Sequence, residues 1–259
     1  RKTGLILKKS LEKNCNNVDN GRMPIQVLKH EPSFLECANM SIGYAGKEIL
    51  HNMSFRFDIS KKYAIIGKSG SGKSTLAKGI CGFLEPIDGQ CMIENINVRD
   101  VSYEELYRYL IYQDQNAKLF DDTIFKNIDL KGVLQKEKLF QIVKKMRLEK
   151  IINKGTERQE IFSGGETQRI LLARAFASDA KMVILDECLS ALDNENAKNI
   201  ESNILKQTEM GVIMITHRIY EENMYMYDGV LLMEDGRLAE YGTWDELRKN
   251  EKVMQLIAK

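Results

Sequence analysis

One stretch of the chain, from Gly67 to Thr75, has the spacing of a phosphate-binding loop. It reads Gly-Lys-Ser-Gly-Ser-Gly-Lys-Ser-Thr and fits the P-loop pattern G-x-x-x-x-G-K-[ST]. The apolar residues 63–66 before it predict a short buried strand, and residues 75–81 after it predict a helix that ends near Gly82. A glycine turn between a strand and a helix lets successive backbone N–H groups converge on an anion, and the helix N-terminus adds positive potential. This stretch therefore predicts a site for the phosphates of a nucleoside triphosphate.

Two side chains of this P-loop extend the chemistry beyond backbone contacts. Lys73 can reach the β- and γ-phosphates as a mobile point charge, and Ser74 offers a hydroxyl to Mg2+. The alternative is a glycine-rich turn that binds nothing. Residues elsewhere in the chain that could bind Mg2+ or activate water argue against this alternative. The predicted nucleotide-binding residues of the loop are Gly67, Ser69, Gly70, Ser71, Gly72, Lys73, Ser74 and Thr75.

A pair of carboxylates, Asp186 and Glu187, directly follows the apolar residues 182–185. They are expected at the carboxyl end of a buried strand, where open α/β sheets bind their ligands. Asp186 is the predicted Mg2+ ligand, and Glu187 is the predicted general base for a water that attacks the γ-phosphate. His217 follows another apolar segment, residues 212–215, and is predicted to donate a hydrogen bond to the γ-phosphate. The alternative is that these residues merely cap strand ends.

The pattern around these residues predicts an α/β fold. Apolar strands alternate with helical segments, which is typical of a largely parallel sheet. Between residues 34 and 59 we expect short strands broken by Gly43 and Gly46. Ser102 begins a capping box for a helix expected to run through Tyr109. Thr243 begins another, for a last helix whose apolar side carries Leu247, Met254 and Ile257.

The chain divides by composition into a polar beginning and one large domain. Residues 1–33 are expected to form a linker or lead-in, and residues 34–259 the α/β domain. The lysine-rich residues 121–162 carry apolar side chains at helical intervals, from which we predict an inserted helical subdomain at about residues 114–178.

Composition excludes some classes of function. Lys plus Arg total 38 and Asp plus Glu 37, so a surface for nucleic acid is not expected. The five cysteines lie far apart and are odd in number, which favours a reducing compartment over a disulfide framework or a cysteine metal cluster. No apolar run reaches the roughly 18–20 residues of a membrane span, and no signal peptide is visible. The first residue is Arg1 instead of Met, from which we expect a fragment of a longer protein.

The order of these motifs resembles the nucleotide-binding domain of ABC transporters. The resemblance covers about residues 34–259, and the residues after Gln113 and around His217 look most like the exporter branch. The motifs that carry it are Tyr44, the P-loop, Gln113, Ser163-Gly164-Gly165-Glu166, Asp186-Glu187, Ser190-Ala191-Leu192-Asp193 and His217.

The resemblance implies a fold and a reaction. The fold would be a P-loop NTPase (RecA-like) core with a mostly parallel sheet, an N-terminal antiparallel β subdomain and an inserted α-helical subdomain. The domain would bind ATP and Mg2+, with Ser74, Gln113 and Asp186 as metal ligands, and would hydrolyse ATP to power export. The catalytic residues would be Glu187, His217, Lys73 and Gln113.

The resemblance also implies partners. Tyr44 would stack on adenine, Gln113 would sense a membrane domain, and Asp193 would lie at a dimer interface. The signature tripeptide, Ser163, Gly164 and Gly165, would complete the ATP site of a second nucleotide-binding domain, identical or different, that binds head to tail. The same tripeptide is also consistent with a simple capping box before a helix. A transmembrane domain would place the chain at the cytoplasmic face of the cell membrane, with no role for nucleic acid.

The chain departs from the family pattern at several positions. Phe162 replaces the usual Leu, Glu166 replaces the commoner Gln, and the stretch from residue 156 to 161 looks shortened. Trp244 stands where exporters often have His. Two rival functions stay open on the sequence: an ABC ATPase of repair or translation, and a P-loop kinase for a small molecule.

Overall fold

The computed structural model describes residues 28, 30–44, 46–152, 162–207 and 210–257. Most of the expected lead-in and the shortened stretch at 156–161 lie outside these ranges. The described strands form a six-stranded sheet in the order β10-β9-β3-β8-β7-β6 and a four-stranded sheet in the order β2-β1-β4-β5. The strands are β1 Phe34–Tyr44, β2 Lys47–Asp58, β3 Lys62–Ile66, β4 Asp88–Ile93, β5 Ile96–Asn97, β6 Leu110–Gln113, β7 Met182–Asp186, β8 Gly211–Ile215, β9 Gly229–Glu234 and β10 Arg237–Gly242.

The larger sheet is parallel except for its edge strand β10, which pairs antiparallel with β9. Every residue of β7 and β8 is buried, as expected for parallel strands covered on both faces. Alternate residues of β3 face two different cores: Ala64 and Ile66 pack in one, and Tyr63 and Ile65 in the other. Because the strands run the same way, β3, β6, β7 and β8 all end at one edge of the sheet. That edge carries residues that the sequence predicts to be functional.

The four-stranded sheet is antiparallel, as predicted, but its first strands are long instead of short. Gly43 does not interrupt β1: it pairs with Glu48, and a Cβ at Gly43 would lie 2.5 Å from the Lys47 carbonyl oxygen. The glycine permits a close approach of two backbones, which a sequence pattern does not distinguish from a break. Gly46, with φ of 81°, lies in the turn between β1 and β2.

Ten helices are described. They are α1 Lys73–Ile80, α2 Tyr103–Leu106, α3 Ile124–Ile128, α4 Lys136–Lys145, α5 Glu149–Ile152, α6 Gly164–Phe176, α7 Asn194–Leu205, α8 Glu221–Met224, α9 Trp244–Leu247 and α10 Glu251–Ile257. Helices α3 to α6 lie between β6 and β7 and bury their apolar side chains in the core that covers one face of the larger sheet. The general fold class is confirmed, whereas the predicted domain boundaries stay predictions.

Two helix predictions were wrong in extent. Ser102 does cap α2, accepting a hydrogen bond from the Glu105 N–H at 3.0 Å, but the helix ends at Leu106. The predicted last helix is two short helices, because residues 248–250 leave the helical path. Met254 is 50% exposed, and Val253 is the buried residue of α10. The side chain of Ile257 lies outside the described part.

A buried carboxyl, Glu201 of α7, makes stability depend on pH. Glu201 is 2% exposed and accepts hydrogen bonds from the Tyr227 hydroxyl and from Asn223 Nδ2. Burial raises the pKa of Glu201 above its usual 4.5, and the two hydrogen bonds oppose this only in part. Because the folded pKa exceeds the unfolded one, the stability that Glu201 contributes is complete below pH 4.5 and is lost as the pH rises through the folded pKa.

Glu201→Gln removes this titration while keeping the side chain's shape. As the pH rises above 4.5, we expect the free energy of unfolding of the variant to increase relative to that of the wild type. The increase should be about 1.4 kcal/mol for each unit by which folding raises the pKa of Glu201. Urea unfolding at several pH values between 5 and 8 measures the difference. Glu195→Gln, an exposed change on the same helix, is the control. A difference between variant and wild type that does not change with pH would contradict the prediction.

Candidate active site

The P-loop joins the end of β3 to the start of α1, as its sequence predicts. Gly72 has φ of 95°, in the region that favours glycine, and α1 begins at the next residue. A Cβ at Gly67 would lie 2.3 Å from the Met233 carbonyl oxygen, so β9 holds the loop closely from behind. The Gly236 N–H also donates to the Ser71 carbonyl at 3.2 Å. The β9–β10 hairpin therefore fixes the backbone on which the anion-binding N–H groups depend.

Lys73 is folded into its own loop. It is 4% exposed, and its Nζ donates to the carbonyl oxygens of Gly67 at 2.9 Å and Lys68 at 2.8 Å. Burial lowers the pKa of Lys73, while the nearby charges of Glu187 and Asp186 act in the opposite direction. A buried cation held by neutral carbonyls is electrostatically undersatisfied, which suits it to phosphate oxygens.

Ser74 and Asp186, which are far apart in sequence, are in contact. Ser74 Oγ donates to Asp186 Oδ1 at 3.0 Å, and the Tyr112 hydroxyl donates to Asp186 Oδ2 at 2.7 Å. Asp186 is 4% exposed, and burial is the main cause that raises its pKa. A hydroxyl and a carboxylate are hard oxygen ligands, which fit Mg2+ in a site completed by phosphate oxygens and water. In the described ranges, no cluster of three or more His, Cys, Asp or Glu side chains forms a metal cage.

Glu187 and His217 lie next to each other at the ends of β7 and β8. The Glu187 N–H donates to the Ile215 carbonyl at 3.0 Å, and Glu187 has φ of 50°. This backbone turn directs Glu187 away from the strand axis, and its Oε1 lies 3.7 Å from His217 Nδ1. The His217 side chain is 52% exposed and that of Glu187 24%, so both are accessible to a substrate.

Gln113 and Tyr44 are on separate elements. Gln113 ends β6, is 7% exposed, and its Nε2 donates to the Asp114 carbonyl at 3.2 Å. The backbone carbonyl of Gln113 accepts a hydrogen bond from Cys188 Sγ at 3.1 Å, which connects the end of β6 to the residue after Glu187. Tyr44 ends β1 in the other sheet and is 45% exposed, as a platform for a base has to be.

The signature tripeptide does not join this group. Ser163 caps α6, with its Oγ accepting from the Glu166 N–H at 3.2 Å and its N–H donating to Glu166 Oε2 at 2.8 Å. The capping box that the sequence predicts is therefore present. A Cβ at Gly164 would make only ordinary contact, at 3.6 Å with Ala191 Cβ. Among the described residues, no hydrogen bond of the tripeptide reaches the P-loop.

Sequence reasoning missed two side chains that hold the loop at residues 188–193. Arg218 donates to the carbonyls of Ser190 at 2.8 Å and Leu192 at 2.7 Å. Gln168 of α6 accepts from the Ala191 N–H at 2.8 Å through Oε1. The loop is thus fixed both to the signature helix and to the segment after His217. The only sequence signal for Arg218 is its place directly after His217.

The sequence profile described as ABC transporter matches residues 50–190, which is more than half of the chain. The chain belongs to the ABC transporter family. ABC ATPase domains bind ATP, which favours ATP binding over a glycine-rich turn that binds nothing; the P-loop stays the predicted place of the phosphates.

Relatives within the ABC transporter family indicate the exporter branch. The mitochondrial iron-sulfur clusters transporter ATM1 of Candida glabrata is 31% identical over 94% of this chain and 35% of its own length. The ATP-dependent lipid A-core flippase of Pseudomonas aeruginosa is 33% identical over 82% of this chain and 37% of its own length. A solved structure of a bacterial Atm1-family ABC exporter with ATP bound matches with a TM-score of 0.80 and 27% identity, over 98% of this chain and 47% of that one.

These comparisons confirm the expected fold class and identify the chain as an exporter-type nucleotide-binding domain with ATPase function. The named relatives are a transporter and a flippase. These names favour the predicted exporter function over the two alternatives, an ATPase of repair or translation and a small-molecule kinase. The chain spans little more than a third of the length of these curated relatives. Within the described ranges, no helix is both long and apolar enough to cross a bilayer.

Proposed function

We propose that this domain powers export across a membrane by binding and hydrolysing Mg2+-ATP between two nucleotide-binding domains. The observation that carries the proposal is the contact of Ser74 with Asp186 beside Glu187 and His217, at the edge where the P-loop binds phosphates. This group contains donors for one side of the γ-phosphate. The signature tripeptide, whose helix N-terminus could bind the other side, has no hydrogen bond to the P-loop among the described residues.

Ser74, Asp186 and Gln113 would hold Mg2+, which would supply positive charge to neutralise the phosphate oxygens. Lys73 leaves the Gly67 and Lys68 carbonyls and donates to the β- and γ-phosphates. Tyr44, on the other sheet, stacks on the adenine. The remaining P-loop N–H groups bind the phosphates and fix the position of the γ-phosphorus.

Glu187 is the proposed general base. It accepts a proton from a water as that water attacks the γ-phosphorus in line with the leaving oxygen. His217 donates a hydrogen bond to the γ-phosphate, and its nearness to Glu187 keeps both side chains on the same side of the reacting group. The products are ADP and inorganic phosphate, and no second substrate accepts the phosphoryl group.

The proposed dimer follows from the position of the signature tripeptide. The N-terminus of α6 carries two glycines, and helix N-termini bind anions well. Placed against the γ-phosphate of a second chain, it completes that site, and Asp193 lies at the contact. A symmetric head-to-tail pair then contains two such composite sites. Release of phosphate separates the pair.

The membrane partner is also part of this proposal. Gln113 contacts a transmembrane domain and transmits its state to the site, and the domain lies at the cytoplasmic face of the membrane. Support comes from the curated relatives, which are about three times longer than the matched region and are named as a transporter and a flippase.

A complementation experiment tests the composite site. Lys73→Met inactivates the P-loop half, and Gly164→Asp places a negative charge on the signature half without a steric clash. Each variant alone is expected to release almost no phosphate from ATP. Mixed dimers contain one complete site, so an equimolar mixture is expected to recover about a quarter of the wild-type rate. Phosphate release with no added acceptor is the measurement, which also separates an ATPase from a kinase.

The control mixes Lys73→Met with Asp186→Asn, two changes in the same half of the site. No mixed dimer of this pair contains a complete site, so no activity should return. If Lys73→Met and Gly164→Asp remain as inactive together as apart, the site is not shared between two copies of this chain.

A further inference from the structure

Tyr112 contacts Asp186, the proposed metal ligand, and has no role in the proposed reaction. It lies on β6, one residue before Gln113, and its hydroxyl donates to Asp186 Oδ2 at 2.7 Å. Ser74 donates to the other oxygen, Oδ1, at 3.0 Å. The two carboxylate oxygens of Asp186 are therefore held by different donors from different elements.

The surroundings keep the Tyr112 hydroxyl in place. Its ring meets Phe83 edge to face, with centroids 5.8 Å apart and an angle of 69° between the rings. Strand pairing also fixes the backbone, since Tyr112 lies opposite Ile184 of β7, close to Asp186. A second carboxylate, that of Asp114, lies 3.4 Å from the same hydroxyl.

We infer that Tyr112 is a positioning residue for the metal site: its hydroxyl fixes the rotation of the Asp186 carboxylate so that Oδ1 faces Ser74 and the bound Mg2+. This inference rests on the proposed role of Asp186 as metal ligand. Groups that hydrogen-bond to a metal ligand orient it, and their loss commonly weakens metal binding about 10- to 100-fold. Without Tyr112, a nearly buried carboxylate oxygen loses its donor and the carboxylate is free to rotate.

Tyr112→Phe isolates the hydroxyl, because the ring and its contact with Phe83 remain. Tyr109→Phe is the matched control: this tyrosine is three positions earlier in the chain and packs against the same core. Asp186→Asn serves as the reference for loss of the metal ligand itself. All four proteins, including the wild type, are titrated with Mn2+ in the presence of ADP, and free Mn2+ is followed by electron paramagnetic resonance.

We expect Tyr112→Phe to bind Mn2+ about 10- to 100-fold more weakly than the wild type, and Tyr109→Phe to bind it as the wild type does. In an ATPase assay, the rate of Tyr112→Phe should be low at limiting Mg2+ and recover at high Mg2+. A general folding defect would not be rescued by the metal, so this recovery is specific to the positioning role.

Three results would overturn the inference. If Tyr112→Phe binds Mn2+ like the wild type while Asp186→Asn does not, Tyr112 has no positioning role and the proposed metal site stands. If the rate of Tyr112→Phe stays low at saturating Mg2+, the hydroxyl acts on the fold and not on the metal. If Asp186→Asn binds Mn2+ as tightly as the wild type, the proposed metal role of Asp186 fails, and the inference fails with it.

Discussion

Glu187→Gln is expected to lower the rate of ATP hydrolysis by about 10²- to 10⁴-fold, which is the usual contribution of a positioned general base. The amide keeps the shape of the side chain and its place beside His217, but it cannot accept the proton of the attacking water. ATP binding should persist, because Lys73, Ser74 and Asp186 are unchanged. Phosphate release and nucleotide affinity, measured on the same preparation, separate the two effects.

A second consequence follows if hydrolysis separates the dimer. With Mg2+ and ATP, Glu187→Gln should elute from a sizing column as a dimer, while the wild type returns to monomer as ATP is consumed. Glu104→Gln, an exposed change of the same kind, is the control. A hydrolysis rate within about tenfold of the wild type would show that Glu187 is not the base. A monomer at high protein concentration would weaken the dimer model for this isolated domain.

Lys73→Met is expected to have the second largest effect, on ATP binding as well as hydrolysis. A hydrogen bond to a charged group contributes about 1.5–3 kcal/mol, so loss of the ammonium should weaken ATP binding by about 10- to 100-fold. Hydrolysis should fall further, because charge builds up on the phosphate oxygens in the transition state. Calorimetric titration with a non-hydrolysable ATP analogue measures the affinity.

The folded state itself should tolerate this change. Lys73 is nearly buried and its pKa is lowered by that burial, so methionine removes a desolvated charge and retains most of the side-chain volume. Thermal unfolding should therefore give a melting temperature at or above that of the wild type. Lys78→Met, on the same helix, is the control for loss of a positive charge. Equal loss of affinity in both variants would argue against a specific role for Lys73.

The predicted phosphate-binding half of the site depends on features that are local in the sequence. The P-loop carries its strand, glycines and helix within one short stretch, so the pattern itself defines the backbone. Asp186, Glu187 and His217 follow apolar strands, and parallel strands end at the same edge of a sheet. The contact of Ser74 with Asp186, at 3.0 Å, agrees with this expectation, although the two residues are 112 positions apart.

The lengths of two elements, strand β1 and the last helix, were predicted less well from apolar periodicity. Gly43 looked like a break in a strand, yet it lies within an 11-residue strand because its missing side chain admits the backbone of β2. The last helix looked continuous, but residues 248–250 interrupt it and leave Met254 exposed. For Gly43 the deciding factor is a neighbour in space, which a one-dimensional pattern does not contain; at the last helix, Asn250 Oδ1 accepts from the Lys252 N–H at 2.8 Å where α10 begins.

The amino-acid pattern was thus sufficient for the class of fold and for the ATPase family, and it also predicts the main groups of the site, since these depend on short-range order along the chain. The tertiary structure decided which side chains support them. Tyr112 meets Asp186 across 74 positions, and Arg218 meets Leu192 across 26, only because β6, β7 and β8 are neighbours in the sheet. That strand order depends on how the crossover helices pack, so no local pattern in the sequence predicts these two contacts.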